Sequence, residues 1–218
     1  MNFPLQRNRS TQRRAVGGAA ATGNLCVGGW VLRGDVRAGL SASQGKTPST
    51  LWGEDVLDGM RKGLSAKNAV AALVSADRGR ETRQLLAIDR GGRTAAFTGD
   101  ENVSEVSELI FLNIVVGGNM LGNRAVTEAC RLGYVNSGGT MAARLLIALE
   151  HGASAGGDLR GLQSAAILVV SEQAPPVDLR IDYSETPLRD LGQLVARAER
   201  DTYRKWCNGL PARHDPEI

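Results

Sequence analysis

Residues 82–98 read TRQLLAIDRGGRTAAFT, and this stretch decides the fold. Two apolar runs, 82–89 and 93–98, flank Arg90-Gly91-Gly92, a turn short enough to fold one strand straight back on the other. Pairing of that kind is antiparallel, because a parallel partner needs a crossover of about a dozen residues or more.

The same grammar extends in both directions. Upstream, residues 15–21 are small and apolar and read as a first strand closed by Thr22-Gly23-Asn24. Residues 25–32 read as a second strand, Arg33-Gly34-Asp35 as a turn, and 36–43 as a third strand paired with the second. Pro48 suits the first turn of a helix, with Leu51, Trp52, Val56 and Met60 on one face and Gly63 at its end. Ser65 can cap the next helix, which carries Ala69, Val70 and Leu73.

Downstream, residues 109–116 form a continuous apolar run, read as one buried strand. Helices are expected over 124–132 and 140–151. Residues 162–170 and 177–182 read as strands joined across Gln173-Ala174-Pro175-Pro176, and a last helix is expected over 187–206. The order is three strands, two helices, three strands, two helices, two strands and one helix. Runs of consecutive strands imply antiparallel sheets, and strands apolar on both faces imply that each sheet is covered twice. The expected class is α+β, an αββα four-layer sandwich.

Composition narrows the field further. The 218 residues are 42% hydrophobic and 22% charged, ordinary values for a globular chain. No run approaches the roughly 20 apolar residues of a membrane helix, so no membrane partner is expected. The net charge is +3, but Arg7, Arg9, Arg13 and Arg14 all precede the first acidic residue, Asp35, and without them the balance is −1. The organisation expected is a basic arm or strand lead-in over 1–14, one domain over 15–206 and a tail over 207–218. A basic arm on a near-neutral body, without a basic aromatic face, predicts no nucleic-acid partner. Cys26, Cys130 and Cys207 are too few and too scattered for a disulfide framework or a zinc site, which fits a reducing, cytoplasmic setting with no metal or cofactor.

Three chemistries can be weighed. Residues 39–47, GLSASQGKT, imitate a phosphate-binding loop but hold five residues between the first glycine and Gly45-Lys46-Thr47, where four are required. His151 and His214, at a helix end and in the tail, are poorly placed to serve a serine triad. The richest polar cluster is Gly156-Gly157-Asp158-Leu159-Arg160-Gly161-Leu162-Gln163-Ser164, entering a buried strand. Together with Asn119, at the exit of another strand, Asp158, Arg160, Gln163 and Ser164 can line one polar pocket at the strand ends.

A set of ordered motifs carries a resemblance. These are Ala20-Ala21-Thr22-Gly23, Gly28-Gly29-Trp30, the strand 37–44, Ala96-Phe97-Thr98-Gly99, Gly118-Asn119-Met120-Leu121, residues 157–166 and Val177-Asp178-Leu179-Arg180-Ile181-Asp182. Over residues 15–198 they resemble the bacterial family known as domain of unknown function 1028. The resemblance implies the Ntn-hydrolase-like superfamily, whose fold is the αββα sandwich and whose nucleophile is an N-terminal Thr, Ser or Cys with its own α-amine as base. The family usually opens Met-Thr-Phe-Ser, whereas this chain opens Met1-Asn2-Phe3-Pro4, so that route would need cleavage before Ser10, Thr11, Thr22 or Cys26.

The implied activity is that of an amidohydrolase on a small amide or peptide-like substrate. The alternative is a non-catalytic binding or assembly module of the same fold. Thr22 is the expected processed nucleophile and Ser164 the fallback, with the Asn119 and Gln44 amides as oxyanion or substrate donors. Asp158 and Arg160 would orient a charged group, with Gln163 beside them. The resemblance also implies a homodimer.

Overall fold

The computed structural model describes residues 15–103, 105–213 and 215–217, together with the backbone of 2–5. In chain order it opens with β1 (Asn2–Leu5), β2 (Ala15–Thr22), α1 (Val27–Trp30), β3 (Leu32–Asp35) and β4 (Gly39–Gly45). Two helices follow, α2 (Trp52–Arg61) and α3 (Ala66–Ala76), and then the strands β5 (Arg83–Asp89), β6 (Thr94–Thr98), β7 (Ser107–Phe111) and β8 (Ile114–Gly118). The chain continues through α4 (Ala125–Asn136), α5 (Met141–Ser154), β9 (Ser164–Ser171), β10 (Ala174–Ile181), α6 (Pro187–Ala198) and α7 (Asp201–Asn208). Ser10, Thr11, the four early arginines and His214 lie outside the described residues.

The strands form a six-stranded sheet, β10-β9-β2-β1-β8-β7, and a four-stranded sheet, β3-β4-β5-β6. Every pairing is antiparallel. The protein is therefore α+β, with antiparallel sheets and helices packed on them. The decisive hairpin forms, with Leu86 opposite Ala96 and Ile88 opposite Thr94.

Three apolar clusters follow from the period-two alternation of side chains along each strand. On β5, Leu85 and Ala87 join Trp52, Val56, Leu57 and Val70 of α2 and α3. Their neighbours Leu86 and Ile88 turn the other way and meet Ala20, Val115 and Ala166 of the larger sheet. The other faces of the same strands, through Ala21, Val116 and Ile167, pack on Tyr134, Leu145 and Leu191 of α4, α5 and α6. The central strands of the two sheets are thus apolar and buried on both faces. Among the described residues no helix is long and apolar enough to cross a membrane.

Five expectations need correction. Residues 25–32 are not a strand. Cys26 takes a left-handed φ of 59° and starts the short helix α1, and the Ser164 hydroxyl accepts the N–H of Val27 at 3.1 Å. The following hairpin turns at 36–38 instead of 33–35, since Asp35 pairs with Gly39.

The run 109–116 is not one strand but two, folded at Leu112 and Asn113, with Asn113 at φ 67°. Asparagine tolerates that conformation through its short polar side chain. The 187–206 helix breaks at Arg200, which is extended at φ −66° and ψ 142°. Pro175 and Pro176 lie inside edge strand β10, at a register shift between Ala174 and Val177, and do not form the turn. An edge strand accommodates proline because it lacks a second partner.

Candidate functional site

The site is built where strands of both sheets end together. β2 finishes at Thr22, whose carbonyl accepts the N–H of Gln163 at 2.8 Å. The loop after β8 is tied to the loop before β9, since Leu159 N donates to the Met120 carbonyl at 2.9 Å and Gly122 N to that of Gly157 at 3.0 Å. These bonds fix Asp158 against the end of β2. Its Oδ2 accepts the Gly23 N–H at 2.9 Å and the Thr22 hydroxyl at 3.3 Å.

Arg160 completes the arrangement. Its Nε reaches Asp158 Oδ1 at 2.9 Å and its Nη2 reaches Oδ2 at 2.7 Å, while Nη2 also donates to Thr22 Oγ1 at 3.2 Å. Burial pushes the Asp158 carboxyl up, but the Arg160 guanidinium and the N–H groups of Gly23 and Arg160 outweigh it and hold the group below the usual carboxylate range. The Asp158 bond raises the Arg160 guanidinium in turn. The pair is ionised at neutral pH.

A cavity of about 330 Å³ opens here and is bordered by Thr22, Gln44, Asn119, Asp158 and Arg160. Five of the seven residues singled out from the sequence therefore meet at one place. Gln44, near the end of β4, donates its amide N–H to Gln84, which is fully buried and donates in turn to Thr98 Oγ1 at 2.8 Å and the Gly118 carbonyl at 3.3 Å. Asn119 sits one residue past β8, just before Met120 at φ 52°.

Gln163 and Ser164 do not border the cavity. Gln163 donates its side-chain N–H to the Gly23 carbonyl at 3.1 Å. The buried Ser164 hydroxyl donates to the Asn24 carbonyl at 2.7 Å and accepts from Val27 N. Both hold the turn that follows β2.

The phosphate-loop imitation does not form a cradle. β4 runs through Gly45 in register with β5, Lys46 N donates to Asn102 Oδ1 at 3.0 Å, and Thr47 N donates to the Thr82 carbonyl at 3.2 Å. The backbone donors such a loop would aim at a phosphate are already engaged. His151 is on α5, against Gly133 of α4. Among the described residues no group of three His, Cys, Asp or Glu gathers as a metal site.

Three contributors escaped the sequence reading. Lys46 and Trp30 border the cavity, and Gln84 supports Gln44 from behind. The lysine was absorbed in the failed loop motif. The buried glutamine in an otherwise apolar strand was the signal available, because a buried amide requires polar partners.

An α+β architecture with paired antiparallel sheets and a polar cavity at the strand ends defines the class of protein. Residues 7–191 match the family described as a family of unknown function, DUF1028, and the chain belongs to that family. Among solved structures it is similar to the crystal structure of a Silicibacter pomeroyi protein of the same family. That match has 45% sequence identity and a TM-score of 0.92, and it covers 99% of this chain and 96% of the other. A search of the curated proteins finds no match.

Proposed function

We propose that this chain is an αββα sandwich of the Ntn-hydrolase-like kind that binds a small polar, peptide-like ligand in the cavity at its strand ends. One observation carries the reading: the Asp158–Arg160 pair and the Thr22 hydroxyl form a single, already ionised polar wall. Beside it the Lys46 ammonium has no acidic partner among the described residues, and Asn119 and Gln44 bring amides to the same cavity. A carboxylate or amide is the chemistry such donors select. The same wall speaks against Thr22 as an activated nucleophile, since its proton points to a carboxylate whose lowered pKa makes it a poor base.

The second reading, amide hydrolysis, is favoured by the place of β1. That strand lies between β2 and β8, with Asn2 opposite Ala20 and Gly117, at the end of the sheet where Thr22 and Asn119 lie. The Ntn-hydrolase-like resemblance implies a nucleophile at the start of the first strand, and β1 begins at Asn2. The residue at that position is an asparagine, a residue type with neither hydroxyl nor thiol. Thr22 ends a strand and does not begin one.

The test is a panel of N-acetyl amino acids and dipeptides, read by thermal shift and calorimetry, with free amine measured in the same tubes. Binding without amine release, weakened by Arg160→Ala, supports the first reading. Amine release by a chain of intact mass, or by one beginning at Thr22 or Cys26, supports the second. No shift with any member of the panel would overturn both.

A further inference from the structure

The polar wall explains only part of the cavity. Trp30 borders it and is 60% exposed, Leu25 also borders it and is 49% exposed, and Pro48 and Met120 are among the other apolar residues of the lining. An exposed tryptophan on a loose loop would carry little information. Trp30 is on α1, which the fold holds from several sides. Cys26 N donates to the Asp182 carbonyl at 2.9 Å, Val27 N donates to the buried Ser164 hydroxyl, and Ser43 N donates to the Val31 carbonyl at 3.1 Å. The underside is equally tight. A Cβ on Gly28 would stand 2.7 Å from that of Ala166, so this close approach requires glycine there.

The chain thus fixes a short helix firmly and leaves its one large aromatic side chain facing the cavity. A rigid aromatic surface loses little conformational entropy when a ligand covers it. We propose that Trp30 is the specificity-determining contact of the cavity, and that the ligand is an N-acyl amino acid or dipeptide carrying a flat apolar side chain beside its carboxylate. The inference rests on the ligand-binding reading above and adds the chemical class. The carboxylate goes to Arg160 and Lys46, and the flat group lies on the Trp30 indole.

Calorimetry with N-acetyl-phenylalanine and N-acetyl-glycine on the wild type, Trp30→Ala and Trp30→Phe tests it. The wild type should bind the phenylalanine compound about tenfold more tightly, the discrimination expected of one aromatic contact. Trp30→Ala should remove that preference by weakening the phenylalanine compound more than N-acetyl-glycine, and Trp30→Phe should restore most of it. Equal affinities in the wild type, or an equal loss for both compounds in Trp30→Ala, would overturn the proposal for Trp30 while leaving the binding reading intact. Light scattering of the same variants adds a separate arm. A change of oligomeric state in Trp30→Ala without loss of discrimination would assign Trp30 to self-association and overturn the proposal. Failure of both compounds to bind the wild type would instead overturn the binding reading, and this inference with it.

Discussion

Asp158 and Arg160, two residues apart, meet in a fork of parallel bonds, 2.9 Å from Nε to Oδ1 and 2.7 Å from Nη2 to Oδ2. The carboxylate is the better buried partner, with 8% of its side chain exposed against 37% for the guanidinium. Asp158 also receives the Gly23 N–H and the Thr22 hydroxyl, so it joins the end of β2 to the loop before β9. Asp158→Asn removes the charge and breaks the fork. A loss of about 2 kcal/mol is expected, the scale of a charge-assisted bond broken with its partners left behind. Urea unfolding measures it, and a loss indistinguishable from zero would show that the fork does not secure the loop.

The same carboxylate predicts how stability responds to acid. Burial pushes Asp158 up, but the bonds from Arg160 and Gly23 hold it below its ordinary value. Asp35 follows the same pattern, with burial opposed and outweighed by the side chain and N–H of Arg37 and by Arg61. In the unfolded chain both groups return to about 3.9. Each therefore contributes stability that is fully present above that value and is lost as pH falls from it through the lower folded values, because the unfolded state takes up the proton before the folded one. The urea midpoint should be insensitive to these groups above about pH 5 and should fall below about pH 4. The double variant Asp35→Asn, Asp158→Asn should start lower and show a shallower acid fall. Parallel acid profiles for the two proteins would refute the assignment.

The elements legible in the sequence were those fixed by local chemistry. The Arg90-Gly91-Gly92 turn, the Ser65 cap, whose hydroxyl accepts the Asn68 N–H at 3.2 Å, and the two-faced apolar strands all form as read. What failed depended on a distant partner or on one backbone angle. Nothing near Val27 announces that the hydroxyl of Ser164 will cap it. Asn113 was the one visible signal that the 109–116 run would fold back, and it was outweighed by seven apolar neighbours within the run. At the site, the charged and amide residues were legible because polar residues at the ends of buried strands need a reason. Trp30 was not, because its strand-like surroundings suggested burial. Gln163 and Ser164 were read as lining the same pocket, but they turn from it to hold the turn after β2, and nothing local in the sequence fixes which way they face.

Cysteine chemistry separates buried from accessible thiols. Cys130 is completely buried in the core between α4 and the six-stranded sheet, and burial pushes its thiol up to about 12. Cys26 and Cys207 are half-buried. A thiol reagent reacts with the thiolate, so burial and a raised pKa both protect Cys130. With Ellman's reagent at pH 8, the native chain should titrate no more than two of its three thiols, and the third should appear only on unfolding. Mass spectrometry of the labelled peptides should place the protected thiol at Cys130. Its modification in the native chain at the same rate as the others would contradict the packing described.

Gly39 tests the β4–β5 pairing directly. It opens β4 opposite Asp89 with φ 141°, a backbone conformation that side chains disfavour. A Cβ there would stand 2.0 Å from the Ile88 carbonyl oxygen and 2.9 Å from the Asp89 Cα. Both are backbone atoms of the neighbouring strand, so no rotamer change relieves the contact, and β5 is held on its other side by β6. Gly39→Ala should therefore cost about 3 kcal/mol or more, in the range reserved for strain at a special backbone position. Gly138, between α4 and α5, is the control, because a Cβ there meets nothing within 4 Å. Gly138→Ala should change the urea midpoint little, within about 0.5 kcal/mol. If the two variants unfold together, β4 does not pair with β5 in the register given, and the cavity wall that Gln44 forms at the far end of that strand would have to be redrawn.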